Sequence, residues 1–468
     1  MTATRSSTDL YIGGGWRAST SAELIDVTDP RTELVVAQVA AGSAEDADLA
    51  CRAARRAFAD GWGSSAPVVR AQLLQRLHGE LVLRREELVA DVMLDLGVPR
   101  RVAEAVQVDL PLEVLAGFVE VLAEPQYEER IGSSLVVREP VGVVAALTPW
   151  NYPLHQVVAK VGAALAAGCT VVVKPSEVAP LVVHRLFDAA HAAGFPPGVL
   201  NLLSGTGSDV GSALVAHHEI DLVSFTGSLR GGIEVGQAAS ARLVPTILEL
   251  GGKSAAVVLP DADLGLAVRS TAASVLLNSG QTCNALSLLI VPQDRIDEAA
   301  FLAAEHFRSM EAKLGPLASQ QQWARVQRLL ADSIAAGSTV VTGGPGRPDG
   351  VESGFFVRPT VLTHLGPSDH IHGVEVFGPV LVVLGYASED EAVNLANASP
   401  YGLSGAVWSG DLDVAVAFAR RMRTGQVAIN GAAFNPLAPF GGVGASGWGR
   451  ELGRHGIEGF SYLKSLQL

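Results

Sequence analysis

Three cysteines occur in the chain, and one of them, Cys283, sits in GQTCNALSLLIV (280–291), just before an apolar run. A structural thiol has apolar neighbours on both sides. Here Gly280, Gln281, Thr282 and Asn284 supply backbone freedom and hydrogen bonds instead, which suits a sulfur that something must reach. Cys51 on an amphipathic helical stretch and Cys169 at the start of a buried strand read as core. Glu249 interrupts the apolar run of LELGGKS (248–254) ahead of two glycines. Such a carboxylate is either desolvated towards the pKa of a general base or a cap for the amides of the turn. Lysine is scarce, with five in all, so one that persists can be there for its compact ammonium.

Other stretches carry binding chemistry. FTGSLRGG (225–232) puts Gly227 and Ser228 where a helix would start, with free amides and a hydroxyl suited to a pyrophosphate. KPSE (174–177) follows the strand-like TVVV, so Lys174 and Glu177 stand at a strand end; the carboxylate would accept two ribose hydroxyls, or the pair is an exposed ion pair. LLSGTGSDVG (202–211) holds Gly205 and Gly207, but its third glycine comes one residue too late for GxGxxG, and a glycine-rich turn needs no ligand. TPWNYP (148–153) mounts Asn151 between two prolines as a rigid amide donor, although packing of Trp150 explains the stretch equally well. EVFGP (375–379) sets Glu375 beside an aromatic.

The elements around these residues change period along the chain. Residues 44–125 are helical: SAEDADLACRAARRAFAD opens with a Ser-x-x-Asp capping signal, and the next run ends on Gly97. YEERIGSSLVVRE (127–139) reads as a hairpin. From VGVVAALTP onward, short β-rich runs alternate with helices, which means parallel βαβ units in an α/β doubly wound sheet. A second such series begins near 254, with the boundary near 248.

At 468 residues, with 48% apolar and 18% charged residues, two or three domains are expected. The net charge of −14 and the lack of a Lys/Arg cluster exclude a nucleic-acid binder. No apolar run reaches a membrane span, and no signal peptide or disulfide framework is visible, so a reducing cytoplasm is the expected compartment. Eleven histidines show no ligand spacing, so no metal is expected.

Taken in order, TPWNYP, KPSE, FTGS, LELGGKS, GQTCNA, EVFGPV and PFGGVGASGWGRELG resemble the aldehyde dehydrogenase superfamily, from about residue 8 to the C-terminus. The resemblance implies a Rossmann-like cofactor domain (1–120 and 138–247, with 430–455 packing back on it). It adds a second α/β catalytic domain (248–429) and an oligomerisation arm (121–137 and 456–468) of a homodimer or homotetramer. It makes Cys283 the nucleophile, Glu249 the general base, Asn151 an oxyanion donor and Lys160 a supporting lysine. Thr148, Trp150, Lys174, Ser176, Glu177, Gly207, Gly227, Ser228, Leu250, Gly251, Glu375 and Phe377 would hold NAD. A carboxylate at 177 favours it over NADP, the second choice. Tyr152, His155, Ala159, Leu277, Thr282, Asn284, Phe434 and Phe440 would line the substrate tunnel, widened at Ala159 and Leu277. With no arginine there, the implied substrate is a hydrophobic aliphatic or aromatic aldehyde. Four departures stand out: Leu288 for a common Arg, Val374 for Glu, Gly444 for Lys, and Tyr462 for Glu, the last weakening a relay from Glu249 to solvent. A thiol esterase would need a His base that the sequence near Cys283 does not offer. A non-catalytic scaffold would have no need of both Cys283 and Glu249.

Overall fold

The computed structural model describes residues 5–124, 128–366 and 368–468, so Tyr127 of the expected hairpin lies outside the described residues. Two sheets organise the chain. The first has eight strands, and its five central ones are parallel: Thr246–Glu249, Leu222–Thr226, Val143–Leu147, Thr170–Lys174 and Leu200–Leu202, side by side in that order. Antiparallel strands close both edges, Gly447–Trp448 on one side and the hairpin Asp9–Ile12/Gly15–Ala18 on the other. The second sheet has seven strands in the order Thr339–Thr342, Thr360–Thr363, Val380–Tyr386, Leu288–Pro292, Ala255–Val258, Gly405–Trp408 and Ala428–Ile429, all parallel except the first.

The strands read as unbroken apolar runs because both faces are covered. Val144 and Ala146 pack into a helical layer with Phe118 and Leu77. Their neighbours Val143, Ala145 and Leu147 face Ala47, Ala50 and Cys51 of the helix Ala44–Ala59. The second sheet divides Ala255/Val257 from Ala256/Val258 in the same way. The capping signal is used as read: the Ser43 hydroxyl accepts from Asp46 N–H while the Asp46 carboxylate accepts from Ser43 N–H. The periodic run from 66 to 97 is two helices, Pro67–Leu83 and Arg85–Leu96, broken at Arg84 and stopped by left-handed Gly97.

Strand order reverses between Val143–Leu147 and Leu222–Thr226, so a crevice opens beyond their C-terminal ends, where Thr148–Asn151 and Gly227–Ser228 emerge. The second sheet offers its opposite edge: Lys253–Ser254, Ser287 and Gly378–Pro379 lead into its strands from the N-terminal side. Away from this junction, Glu128–Ile131, Ser134–Pro140 and Ser461–Gln467 form a three-stranded antiparallel arm. Among the described residues no helix is long and apolar enough to cross a membrane.

Candidate active site

The loop that carries Cys283 is held in a costly backbone. Asn278, Ser279 and Gly280 take φ of 51°, 54° and 76° in succession. Left-handed non-glycine residues cost about 1–3 kcal/mol each and persist only where their surroundings over-determine them. Here they do. Asn278 Nδ2 donates to the Asn151 and Gln281 carbonyls (2.9 and 3.2 Å), Ser279 Oγ donates to Gly315 O (2.7 Å), and Gln281 Oε1 accepts from Ala318 N–H (2.8 Å). A Cβ at Gly280 would stand 2.0 Å from Gly378 O, so only glycine fits. Cys283 emerges half-buried on the wall of a cleft of about 620 Å³. Burial, then Glu375, then Glu249 push its thiol up to about 12, against a hydrogen bond from Asn284 N–H.

Glu249 ends the strand Thr246–Glu249 with both carboxylate oxygens buried and without a hydrogen-bond partner. Burial first, and Glu451 second, raise its pKa well above the usual carboxylate range; Lys160 and Arg450 act in the other direction. Room for the carboxylate depends on Gly441, φ 147°, whose Cβ would come within 2.5 Å of Oε1. Asn151 Nδ2 donates to Gln281 O (3.1 Å), which ties the amide to the cysteine loop. Fully buried Lys160 donates to Thr226 Oγ1 (2.6 Å) and to the Glu451 carboxylate.

Cys283 and Asn151 share the cleft wall with Trp150, Gly227, Ser228, Leu250, Gly251, Glu375 and Phe377. Ser228 caps the helix Leu229–Ser240. Glu375 Oε1 accepts from Gly252 N–H (2.9 Å), and its carboxyl rises to about 7, mainly through burial. Gln322 Nε2 donates to the Val376 and Phe377 carbonyls and Arg325 to Glu375 O, which holds this loop; Phe377 meets Trp150 edge to face at 5.4 Å. A second group lies at the end of the neighbouring strand. Lys174 Nζ donates to Gly205 O (2.7 Å) and to Glu177 (3.2 Å), and Thr148 Oγ1 is buried without a partner. Ser176 Oγ accepts from Val178 N–H. Gly207 stands beside this group with open space where a side chain would be.

The expected tunnel residues separate. Tyr152 Oη and Thr282 Oγ1 are hydrogen-bonded at 2.6 Å, one residue from Cys283, with Asn284 half-buried beyond it. His155 has an unpartnered Nδ1 and is pushed down to about 4 by burial, hence neutral. Phe434 and Phe440 meet edge to face at 6.1 Å. Ala159, by contrast, has no exposed surface and packs in the helical core of the first sheet. Leu277 lines a different cavity, with Val106, Ala273 and Leu314.

Three of the four departures also find places. Leu288 opens a buried strand. Gly444 has φ 62° and a Cβ there would meet Pro400 O at 2.8 Å, so no lysine fits. Tyr462 is half-exposed in the arm, bonded to Glu139. The carboxylate that acts on Glu249 is Glu451 of GRELG, a residue the sequence reading passed over; an acidic group beside Gly-Arg looks solvated until Lys160 is seen against it.

The model of the aldehyde dehydrogenase family matches residues 16–466. A 3-succinoylsemialdehyde-pyridine dehydrogenase of Pseudomonas is 43% identical, and a geranial dehydrogenase of Castellaniella defragrans 41%, each over 98% of both chains. Among solved structures, a mutant of aldehyde dehydrogenase C from Pseudomonas syringae, complexed with NAD+ and octanal, superposes with a TM-score of 0.97 at 43% identity. It covers 100% of this chain and 97% of its own. A Mycobacterium tuberculosis aldehyde dehydrogenase complexed with NAD+ also reaches 0.97, at 37% identity over 100% and 99%. Matched along nearly its whole length in both sequence and fold, the chain belongs to the aldehyde dehydrogenase family.

Proposed function

We propose that the protein oxidises a hydrophobic aldehyde to its carboxylic acid with NAD. The observation that carries this reading is a half-buried thiol on the wall of the crevice, within electrostatic reach of a buried, unpartnered carboxylate.

The crevice fits a dinucleotide. Ser228 and the first amides of a twelve-residue helix suit a pyrophosphate. Glu375, fixed through Gly252 N–H, and Glu177, turned towards Lys174, suit the two riboses, and a carboxylate at 177 favours NAD over NADP. When bound, NAD supplies the hydride acceptor.

The chain's own residues divide the remaining work. The Cys283 sulfur, as thiolate, bonds to the aldehyde carbon, and the Asn151 amide donates to the resulting oxyanion. Loss of hydride leaves a thioester on Cys283. Glu249 takes a proton from water as that water attacks the thioester carbon; the carbon–sulfur bond breaks and the thiolate returns. The raised pKa of Glu249 places it nearer the operating pH than an ordinary carboxylate. Tyr152, Phe434 and Phe440 offer apolar surface to the substrate, in keeping with relatives that act on geranial or bind octanal.

Two buried thiols and one reachable thiol, all free, suit a reducing cytoplasm. The open edge of the arm suits a homodimer or homotetramer. An aldehyde panel followed at the NADH absorbance, with NADP in parallel, tests the reading. Medium-chain and aromatic aldehydes are expected to lead in kcat/KM, and succinic semialdehyde outranking them would refute the substrate class.

A further inference from the structure

Gln107 is fully buried and far in sequence from every motif above. Its helix is not regular: between the α-helical pieces Arg100–Val102 and Leu110–Ala123, residues Ala103–Asp109 form a π-helical stretch. Pro111 accounts for the irregularity. It has no N–H to give, and its ring collides with the carbonyl four residues earlier, which is that of Gln107. The ladder opens over this turn, and such widened turns are frequent at functional sites.

From the widened turn, Gln107 Nε2 reaches the Asn151 carbonyl at 2.9 Å and Asn278 Oδ1 at 3.3 Å. Asn278 Nδ2 donates to the same Asn151 carbonyl and to Gln281 O, which in turn accepts from Asn151 Nδ2. Two loops that arrive from different sheets are thereby tied at one point, two residues before Cys283. Packing alone does not explain the glutamine: its Oε1 is buried without a partner, a penalty that methionine of similar size would avoid.

We propose that Gln107 is a positioning residue for acyl transfer, which with Asn278 clamps the Asn151 backbone to the cysteine loop so that amide and thiol address one carbonyl group. This rests on the aldehyde-oxidising reading above. Loss of an oxyanion donor outright costs about 10²–10³ in kcat, so loss of a residue that only aims the donor is expected to cost about tenfold.

In the full-length enzyme, Gln107→Met should lower the single-turnover rate of NADH formation by that factor. KM for aldehyde, NAD affinity by fluorescence quenching and the thermal midpoint should stay close to wild type. Because Gln107 acts through Asn151, Gln107→Met added to Asn151→Ala should slow the enzyme no further. Asn278→Asp, which tolerates the left-handed backbone but lacks the donor, should reproduce the loss, and serves where Gln107→Met does not fold. A wild-type rate in either variant, or the same tenfold loss on top of Asn151→Ala, overturns the proposal. Wild-type protein inert towards every aldehyde overturns the dehydrogenase reading and this inference together, which keeps the two failures distinguishable.

Discussion

At pH 8 a thiol held near 12 is ionised in only about one molecule in ten thousand, and Cys283 is in that state because of burial, Glu375 and Glu249. The sign follows: raising the pH, or removing an anion, raises the thiolate fraction. Alkylation of Cys283 by iodoacetamide, without NAD, should therefore accelerate about tenfold per pH unit from 7 to 10. Glu375→Gln should alkylate faster than wild type at pH 8.5; a plateau below pH 9 or a slower variant would contradict this electrostatic account. On the proposed mechanism, Glu249→Gln should keep thioester formation and lose its hydrolysis. A rapid-mix experiment should show one NADH per site, then turnover reduced about 10²–10⁴-fold. Cys283 and Glu249 were legible in the sequence because each is out of character with its neighbours. Glu451, Gln107 and Asn278 were not, since their meaning lies in partners between 44 and 291 residues away.

Two elements set the surroundings of Glu249, the proposed base. The helix Pro153–Ala167 sinks Lys160 into the core, where its salt-bridge partner among the described residues is Glu451. Lys160→Met would strand a carboxylate at 3% exposure, and breaking a buried pair this way costs about 3–5 kcal/mol. The thermal midpoint should fall clearly, and Lys160→Met with Glu451→Gln should recover much of it. A single variant as stable as wild type would mean that water reaches Glu451. The turn at Gly441 makes the second prediction. A methyl group there would occupy space 2.5 Å from Glu249 Oε1 on a backbone of φ 147°. Gly441→Ala should thus damage hydrolysis of the thioester more than its formation, visible as a burst that wild type lacks. Parallel strands were readable because burial on both faces leaves an unbroken apolar run. The break at Arg84 and the π-helical stretch were not, because the apolar period continues through both. The short strand Thr360–Thr363 hides among loop residues.

Over the whole molecule, the sequence period showed two α/β series with a change expected near 248, and the chain forms two large sheets. Strand Thr246–Glu249 is the last parallel strand of one sheet, whose edge Gly447–Trp448 returns to close, and Ala255–Val258 lies in the middle of the other. What sequence period could not show is that the sheets meet by opposite edges, C-terminal against N-terminal, since that depends on chain direction in space. The arm poses a problem that one chain leaves open. Ser461–Gln467 pairs with Ser134–Pro140 on one side only, and it exposes Tyr462, Leu463 and Leu466 at 49%, 55% and 38%. An unpaired edge with apolar side chains is a template for another strand, and a second copy of this chain is the partner always at hand. Lysine on an edge strand blocks such pairing while leaving the internal ladder intact. Leu463→Lys with Leu466→Lys should therefore reduce the mass measured by light scattering to that of one chain, with the circular dichroism spectrum unchanged. Wild type that already runs as a monomer, or a variant that keeps the wild-type mass, would show that the arm is not the assembly surface.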